Sequence, residues 1–128
     1  MKPQDAGRQS VASAFRNAFV GIGDFARERN SRIQLIAAAV ACGLAAWLRI
    51  SATEWAVLAV TIGGVLGIEA LNCAVERVVD LASPGQHELA RQAKDLAAGA
   101  VLIVAVGATV VGAILFVPRL IALARLSG

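Results

Sequence analysis

The chain of 128 residues is 58% hydrophobic and only 16% charged, with a mean hydropathy of +0.70; a soluble domain is about 45–50% apolar. That balance excludes an ordinary soluble enzyme and predicts one small all-α membrane domain over residues 1–128, most of it membrane helix. A formal charge of +3 suits nucleic acid in a soluble protein, but here Lys and Arg act as topology signals and no nucleic-acid partner is expected.

Residues 1–9 are polar, contain Pro3 and Gly7, and are expected to fray. They lack the apolar core of a signal peptide, so the first span is expected to serve as its own signal. From Ser10, a natural N-cap, Val11, Phe15, Ala18, Phe19, Ile22 and Phe25 recur at spacings of three and four. This predicts an amphipathic surface helix over about 10–28, with Arg8, Arg16, Arg27 and Arg29 in the headgroup layer. Gly21 and Gly23 are expected to loosen its second half. No strand precedes them and no Walker Lys follows, so they do not form a phosphate loop.

Glu28 to Gln34 join this helix to the first span, and their charges suit an anchor and a functional role equally well. The span covers about 32–49, with Gln34 the one polar side chain from Ile33 to Leu48, Trp47 as an interfacial anchor and Arg49 snorkelling. Sixteen residues are short for about 30 Å of hydrocarbon, so the helix is expected to extend back through Arg32. After a tight connection, Thr53 is expected to cap the second span, about 54–80, which carries Trp55 and the closely spaced Gly63, Gly64 and Gly67. Pro84 and Gly85 mark a loop, and a helix restarts near His87. The third span, about 88–117, is free of charge from Leu96 to Val117 and opens with the small Ala97, Ala98, Gly99 and Ala100. Pro118 is expected to end or kink it, leaving Arg119 and Arg125 on a short amphipathic tail. Cys42 and Cys73, without a C-x-x-C or a nearby His, are packing residues.

Nine of the twelve basic residues fall on the N-terminal side of the membrane, against Arg49, Arg119 and Arg125 opposite. The positive-inside rule then places the N-terminus in the cytoplasm, in a multi-pass arrangement. Every acidic residue from the second span onward except Glu54 falls on that same side.

One stretch stands out, residues 69–80. At about 100° per residue, Glu69, Asn72, Glu76 and Asp80 share an arc of about 80°, while Leu71, Ala74, Val75, Val78 and Val79 fill the opposite one. An ionisable side chain at hydrocarbon depth costs about 2.5–3.5 kcal/mol on insertion scales and marks a functional site by default. Clustered carboxylates with an Asn suit a hard cation such as Mg²⁺, and Lys94 beside Asp95 adds a point charge for phosphate. A carboxylate as deep as Glu69 can take a proton from a hydroxyl held at the lipid interface. These are parts for phosphoryl transfer. The same residues also fit a proton or cation path in a non-enzymatic oligomeric membrane protein, although beyond Glu69 the second span offers only Thr61 and the third only Thr109.

The string Glu69-x-x-Asn72-Cys73-Ala74-x-Glu76-x-x-Val79-Asp80, followed by His87 and by Ala93-Lys94-Asp95-x-Ala97-Ala98-Gly99-Ala100-Val101, resembles the bacterial diacylglycerol kinase and undecaprenol kinase family over about residues 10–118. The resemblance implies a homotrimer in the bacterial inner membrane, each subunit with a surface helix and three spans. Its active sites are shared between subunits near the cytoplasmic face, and they use ATP and Mg²⁺ to phosphorylate a lipid hydroxyl. By motif position, Glu69 is implied as the general base, with Asn72 and Asp95 beside it in catalysis. Glu28 and Glu76 are implied to hold the metal. Arg16, Glu28, Glu76, His87, Lys94 and Asp95 are implied at the nucleotide, and Arg32, Trp47, Glu69 and Ala98 along the lipid. Glu28-Arg29-Asn30-x-Arg32-Ile33 and the ending Val111 to Arg119 look more like the undecaprenol branch. Cys73 stands where Thr or Ser is usual, and Gln34 where that branch often has His.

Overall fold

The computed structural model describes residues 10–126, which form four helices: α1 (Val11–Arg27), α2 (Arg29–Trp47), α3 (Ala52–Ala82) and α4 (Glu88–Leu126). The polar lead expected over residues 1–9 lies outside the described residues. Ser10 caps α1, its hydroxyl accepting the Ser13 N–H at 3.2 Å. The helix runs unbroken through Gly21 and Gly23, whose propensity penalty of about 1 kcal/mol each is too small to interrupt it. None of its residues is buried, and Val11, Phe15, Phe19 and Ile22 are exposed together, an apolar stripe left open.

The expected joint between surface helix and first span shrinks to one residue. Glu28 is extended (φ −66°, ψ 143°) and serves as the C-cap of α1 and the N-cap of α2. Its N–H returns to Phe25 O, while its own carbonyl accepts the Arg32 N–H at 3.1 Å and opens α2. The helix therefore begins at Arg29, three residues before the expected 32, because Arg29, Asn30 and Arg32 can stay helical while their charges reach outward.

At its other end α2 closes with a Schellman motif. Ile50 N–H bonds to Ala45 O and Arg49 N–H to Ala46 O, each at 3.2 Å. Arg49 takes the left-handed position (φ 50°) that usually belongs to Gly, and Ile50 folds back onto Ala45 in the core. The cap of α3 is Ser51 and not Thr53. Ser51 Oγ accepts the Glu54 N–H at 3.3 Å and Glu54 Oε2 accepts the Ser51 N–H at 2.7 Å, a reciprocal capping box. Thr53 already lies inside the first turn, and only Ser51 has a Glu three residues on.

Pro118 does not end α4, which continues to Leu126. Arg119 supports the turn around it, donating to Leu115 O at 2.9 Å and to Glu54 Oε2 at 2.8 Å. The last turns are thereby tied to the start of α3. The amphipathic tail is a helical extension of the third span.

α3 packs chiefly on α4, with α2 against α3. The buried apolar core is small, Ala45, Ile50, Leu58 and Leu115, ringed by Leu48, Trp55, Ile62, Val111 and Phe116. It sits at the end of the bundle that holds the Ser51 cap and the Glu54–Arg119 pair. Among the described residues, α3 and α4 are long and apolar enough to cross a membrane; α2, with Arg29 and Arg32 in its first turn, does not reach that standard.

The α2–α3 corner gives a paired stability prediction. Arg49→Gly removes a left-handed strain of about 1 kcal/mol, whereas Ser51→Ala removes a cap worth about 1 kcal/mol. In denaturant-dependent unfolding from micelles, the first variant is expected to gain stability and the second to lose a comparable amount.

Candidate functional site

At the end of the bundle opposite the apolar core, the buried groups are polar. Ser31 is 0% exposed, Glu69 3% and Asn72 7%. Glu69 and Asn72 come from the stripe on α3, and Ser31 from the first turn of α2. A buried carboxylate is tolerated only with a partner, and Glu69 finds it on α2: Gln34 Nε2 donates to Glu69 Oε2 at 3.1 Å. One turn further along α3, Asn72 Nδ2 donates to Glu76 Oε1 at 3.2 Å. The predicted face is therefore real, with Glu69 buried, Asn72 buried, and Glu76 exposed at its outer end.

Three buried polar atoms in this region lack a well-formed hydrogen bond: Ser31 Oγ, Gln34 Oε1 and Asn72 Oδ1. Leaving one such group unsatisfied costs about 1–3 kcal/mol. Among the described residues, these three lie on α2 and α3 at the polar end of the bundle. Cys73 lies beside Ser31, within electrostatic reach of Glu69, Glu28 and Glu76.

Beyond the buried end the charges pair across elements. Arg77 on α3 donates to Glu28 Oε1 at 2.6 Å, tying the α1–α2 corner to the stripe. Asp80 reaches α4, where Lys94 Nζ donates to its Oδ1 at 2.5 Å. Arg91 sits between Glu88, at 2.6 Å, and Asp95, at 2.5 Å. His87 ends the loop, its Nδ1 accepting the Leu89 N–H at 3.2 Å. Asp80, Ser83, His87, Arg91 and Lys94 line an open cleft of about 500 Å³ between the ends of α3 and α4.

The structure thus sets Glu69, Asn72 and Glu76 along one face of α3, ties Glu28 to that helix through Arg77, and places Lys94 and His87 in the adjoining cleft. Asp95 turns to Arg91, and among the described residues it has no hydrogen bond to Glu69 or Asn72. Ala98 is exposed on α4 and Arg32 on α2. Arg16 lies about 17 Å along α1 from the Glu28 corner, and Trp47 about 20 Å along α2 from Gln34, by the helical rise of about 1.5 Å per residue. Neither belongs to the buried cluster. Sequence reasoning missed Gln34 as the partner of Glu69, although a lone polar side chain in an apolar span was signal enough to suspect it. It also missed the Asp80–Lys94 and Glu28–Arg77 pairs, which join residues distant in sequence.

Thr61 and Thr109, the polar residues further along α3 and α4, bond to their own helices, at Val57 O (2.8 Å) and Ala105 O (2.9 Å).

Comparison with known proteins agrees with the motif. The model of the prokaryotic diacylglycerol kinase family matches residues 16–116. The undecaprenol kinase of Bacillus subtilis is 39% identical over 108 residues, covering 84% of this chain and 88% of its own. A diacylglycerol kinase of Synechocystis is 45% identical over 113 residues, 86% of this chain and 64% of that protein. The diacylglycerol kinase of Escherichia coli K12 is 37% identical over 81 residues, 63% of each chain. With a family model spanning most of its length and a relative matched nearly end to end, the chain belongs to the prokaryotic diacylglycerol kinase family and is a membrane lipid kinase.

Proposed function

We propose that the protein transfers the γ-phosphoryl group of ATP to the hydroxyl of a membrane lipid, with undecaprenol as the favoured acceptor and diacylglycerol the other. The observation that carries this reading is the buried Glu69, held through Oε2 by Gln34 while Oε1 takes no hydrogen bond among the described residues. A carboxylate kept from water and open on one oxygen suits proton abstraction from an alcohol at the lipid boundary. Glu69 accepts the hydroxyl proton as the alcohol oxygen bonds to the γ-phosphorus. The bond from that phosphorus to the bridging oxygen breaks, and ADP leaves.

The residues present fit a Mg²⁺ ion. Mg²⁺ takes one or two carboxylates and completes its shell with phosphate and water oxygens. Asn72 fixes one oxygen of Glu76, its own Oδ1 is buried and unpaired, and Glu28 stands in the same electrostatic neighbourhood. Glu28 and Glu76 would hold the ion, which would supply positive charge against the phosphates.

Lys94 meets the phosphates from the cleft by exchanging Asp80 for them. The pair is 38% and 65% exposed, and exposed pairs are worth about 0–1 kcal/mol, so the exchange is cheap. His87 borders the same cleft, and Asp95, through Arg91, orders the first turns of α4.

The working unit on this reading is a homotrimer in the bacterial inner membrane, with α2 as the third span and the active site facing the cytoplasm. Gly63, Gly64 and Gly67 on α3 meet nothing within 4 Å where a Cβ would stand, an open strip for a helix of another copy. The three unsatisfied buried atoms are likewise consistent with a site completed from a neighbour. The nearly full-length match to the Bacillus subtilis undecaprenol kinase supports the preferred acceptor.

Purified protein in micelles with labelled ATP, Mg²⁺ and each lipid alcohol is expected to label undecaprenol faster than diacylglycerol; labelling of neither rejects the reading. Glu69→Gln keeps the shape and the bond to Gln34 but loses the base. Its kcat is expected to fall by about 10²–10⁴-fold with unfolding unchanged, and parental turnover would remove the base assignment. Glu76→Gln, titrated with Mg²⁺ at fixed ATP, is expected to need several-fold more metal for half-maximal rate. An unchanged titration would make Glu76 a structural residue.

A further inference from the structure

Burial alone does not make Glu69 an effective base, because a carboxylate free to turn presents either oxygen to the acceptor at random. Something must fix it. Of the polar neighbours, Asn72 directs its amide nitrogen to Glu76, and Ser31 lies beside Cys73. Among the described residues, the one side-chain donor that reaches Glu69 is Gln34 Nε2, at 3.1 Å from Oε2, from a different helix 35 residues earlier in the chain.

Resting on the reading of Glu69 as the base, we infer that Gln34 is a positioning residue of the lipid kinase reaction. It locks Glu69 through Oε2 so that Oε1 is the oxygen presented to the acceptor hydroxyl. The amide's own Oε1 is buried without a partner, so the bond to Glu69 is the single interaction of its head group that offsets placing it in an apolar helix. Its orientation follows from charge. Turned by half a rotation, the amide would set its oxygen against the ionised carboxylate. A neutral donor also suits the task better than a cation would, since it fixes the carboxylate without the full charge that would weaken its hold on a proton. Only Gln34 joins the base to α2, and a small displacement of a reacting group is enough to lower turnover by about 10²-fold.

The test uses the full chain in micelles with ATP, Mg²⁺ and the better lipid acceptor. Gln34→Met has similar length and no donor. Its kcat is expected to fall by about 10- to 100-fold, with KM for ATP held within about twofold because the nucleotide cleft is untouched. Gln34→His, whose Nε2–H reaches about as far as the amide nitrogen, is expected to restore most of kcat. Should Gln34→Met fail to fold, Gln34→Asn keeps an amide but draws it back by one methylene, and it is expected to show the same selective loss of kcat. Parental kcat in Gln34→Met or Gln34→Asn overturns the inference, as does an equal loss in Gln34→Met and Gln34→His. Glu69→Gln measured alongside separates the two levels. If it turns over normally, the base reading falls and takes this inference with it; if it is inactive while Gln34→Met is normal, the inference alone falls.

Discussion

The structure depends on how a carboxylate is kept inside an apolar bundle. Glu69 is nearly inaccessible, and the hydrogen bond that makes this tolerable comes from Gln34 on the neighbouring helix. An unpaired charge at that depth would favour any arrangement that let it reach water. The Gln34 bond therefore does two things, satisfying Glu69 and setting how α2 lies against α3 at the polar end. At the other end the same two helices are joined by different means. There a small apolar core, the Arg49 and Ser51 caps and the Glu54–Arg119 pair hold α2, α3 and α4 together. The helices are thus held at both ends, by burial and capping at one and by the Gln34 bond with exposed ion pairs beyond it at the other.

Between the buried end and water, the charges form weak and replaceable pairs. Arg77 with Glu28, Lys94 with Asp80, and Arg91 with Glu88 and Asp95 are all substantially exposed, where such contacts contribute little to stability. For a lipid kinase that weakness is useful. A cation held strongly by its own chain would not turn to a phosphate, and a carboxylate locked by Arg would not turn to a metal. Free energy that is not invested in these pairs remains available for binding a nucleotide.

Much of this was legible in the sequence, and the limits have physical causes. The surface helix and its Ser10 cap follow from local periodicity and capping chemistry, and the α3 stripe follows from helical spacing; both are local, and both were read correctly. The Ser51 cap was equally local, since Ser-x-x-Glu stands in the chain, and Thr53 was preferred only by overlooking it. Pro118 is different. Whether a proline ends a helix depends on what supports the turns beside it, and here Arg119 has a partner 65 residues earlier, which no window reveals. Gln34 belongs with Pro118. Its composition signal was plain, but the identity of its partner is tertiary information. The role of Glu28 could not be read from its own surroundings, because a charged corner at a membrane boundary looks the same whether it anchors or ligates.

The depth of the stripe gives the last step. Glu69 and Glu76 are seven residues apart, about 10 Å along the axis of α3, so one is buried while the other meets water. A lipid hydroxyl cannot move far out of the membrane boundary, and a nucleotide carrying several negative charges cannot move far into it. Their reaction is therefore confined to a thin layer, and the catalyst must offer a dry proton acceptor on one side of that layer and oxygen ligands for a hydrated metal on the other. On the proposal that Glu69 is the base and Glu76 a metal ligand, a single helix crossing the boundary would supply both at fixed separation, with Asn72 midway and bonded to the outer carboxylate.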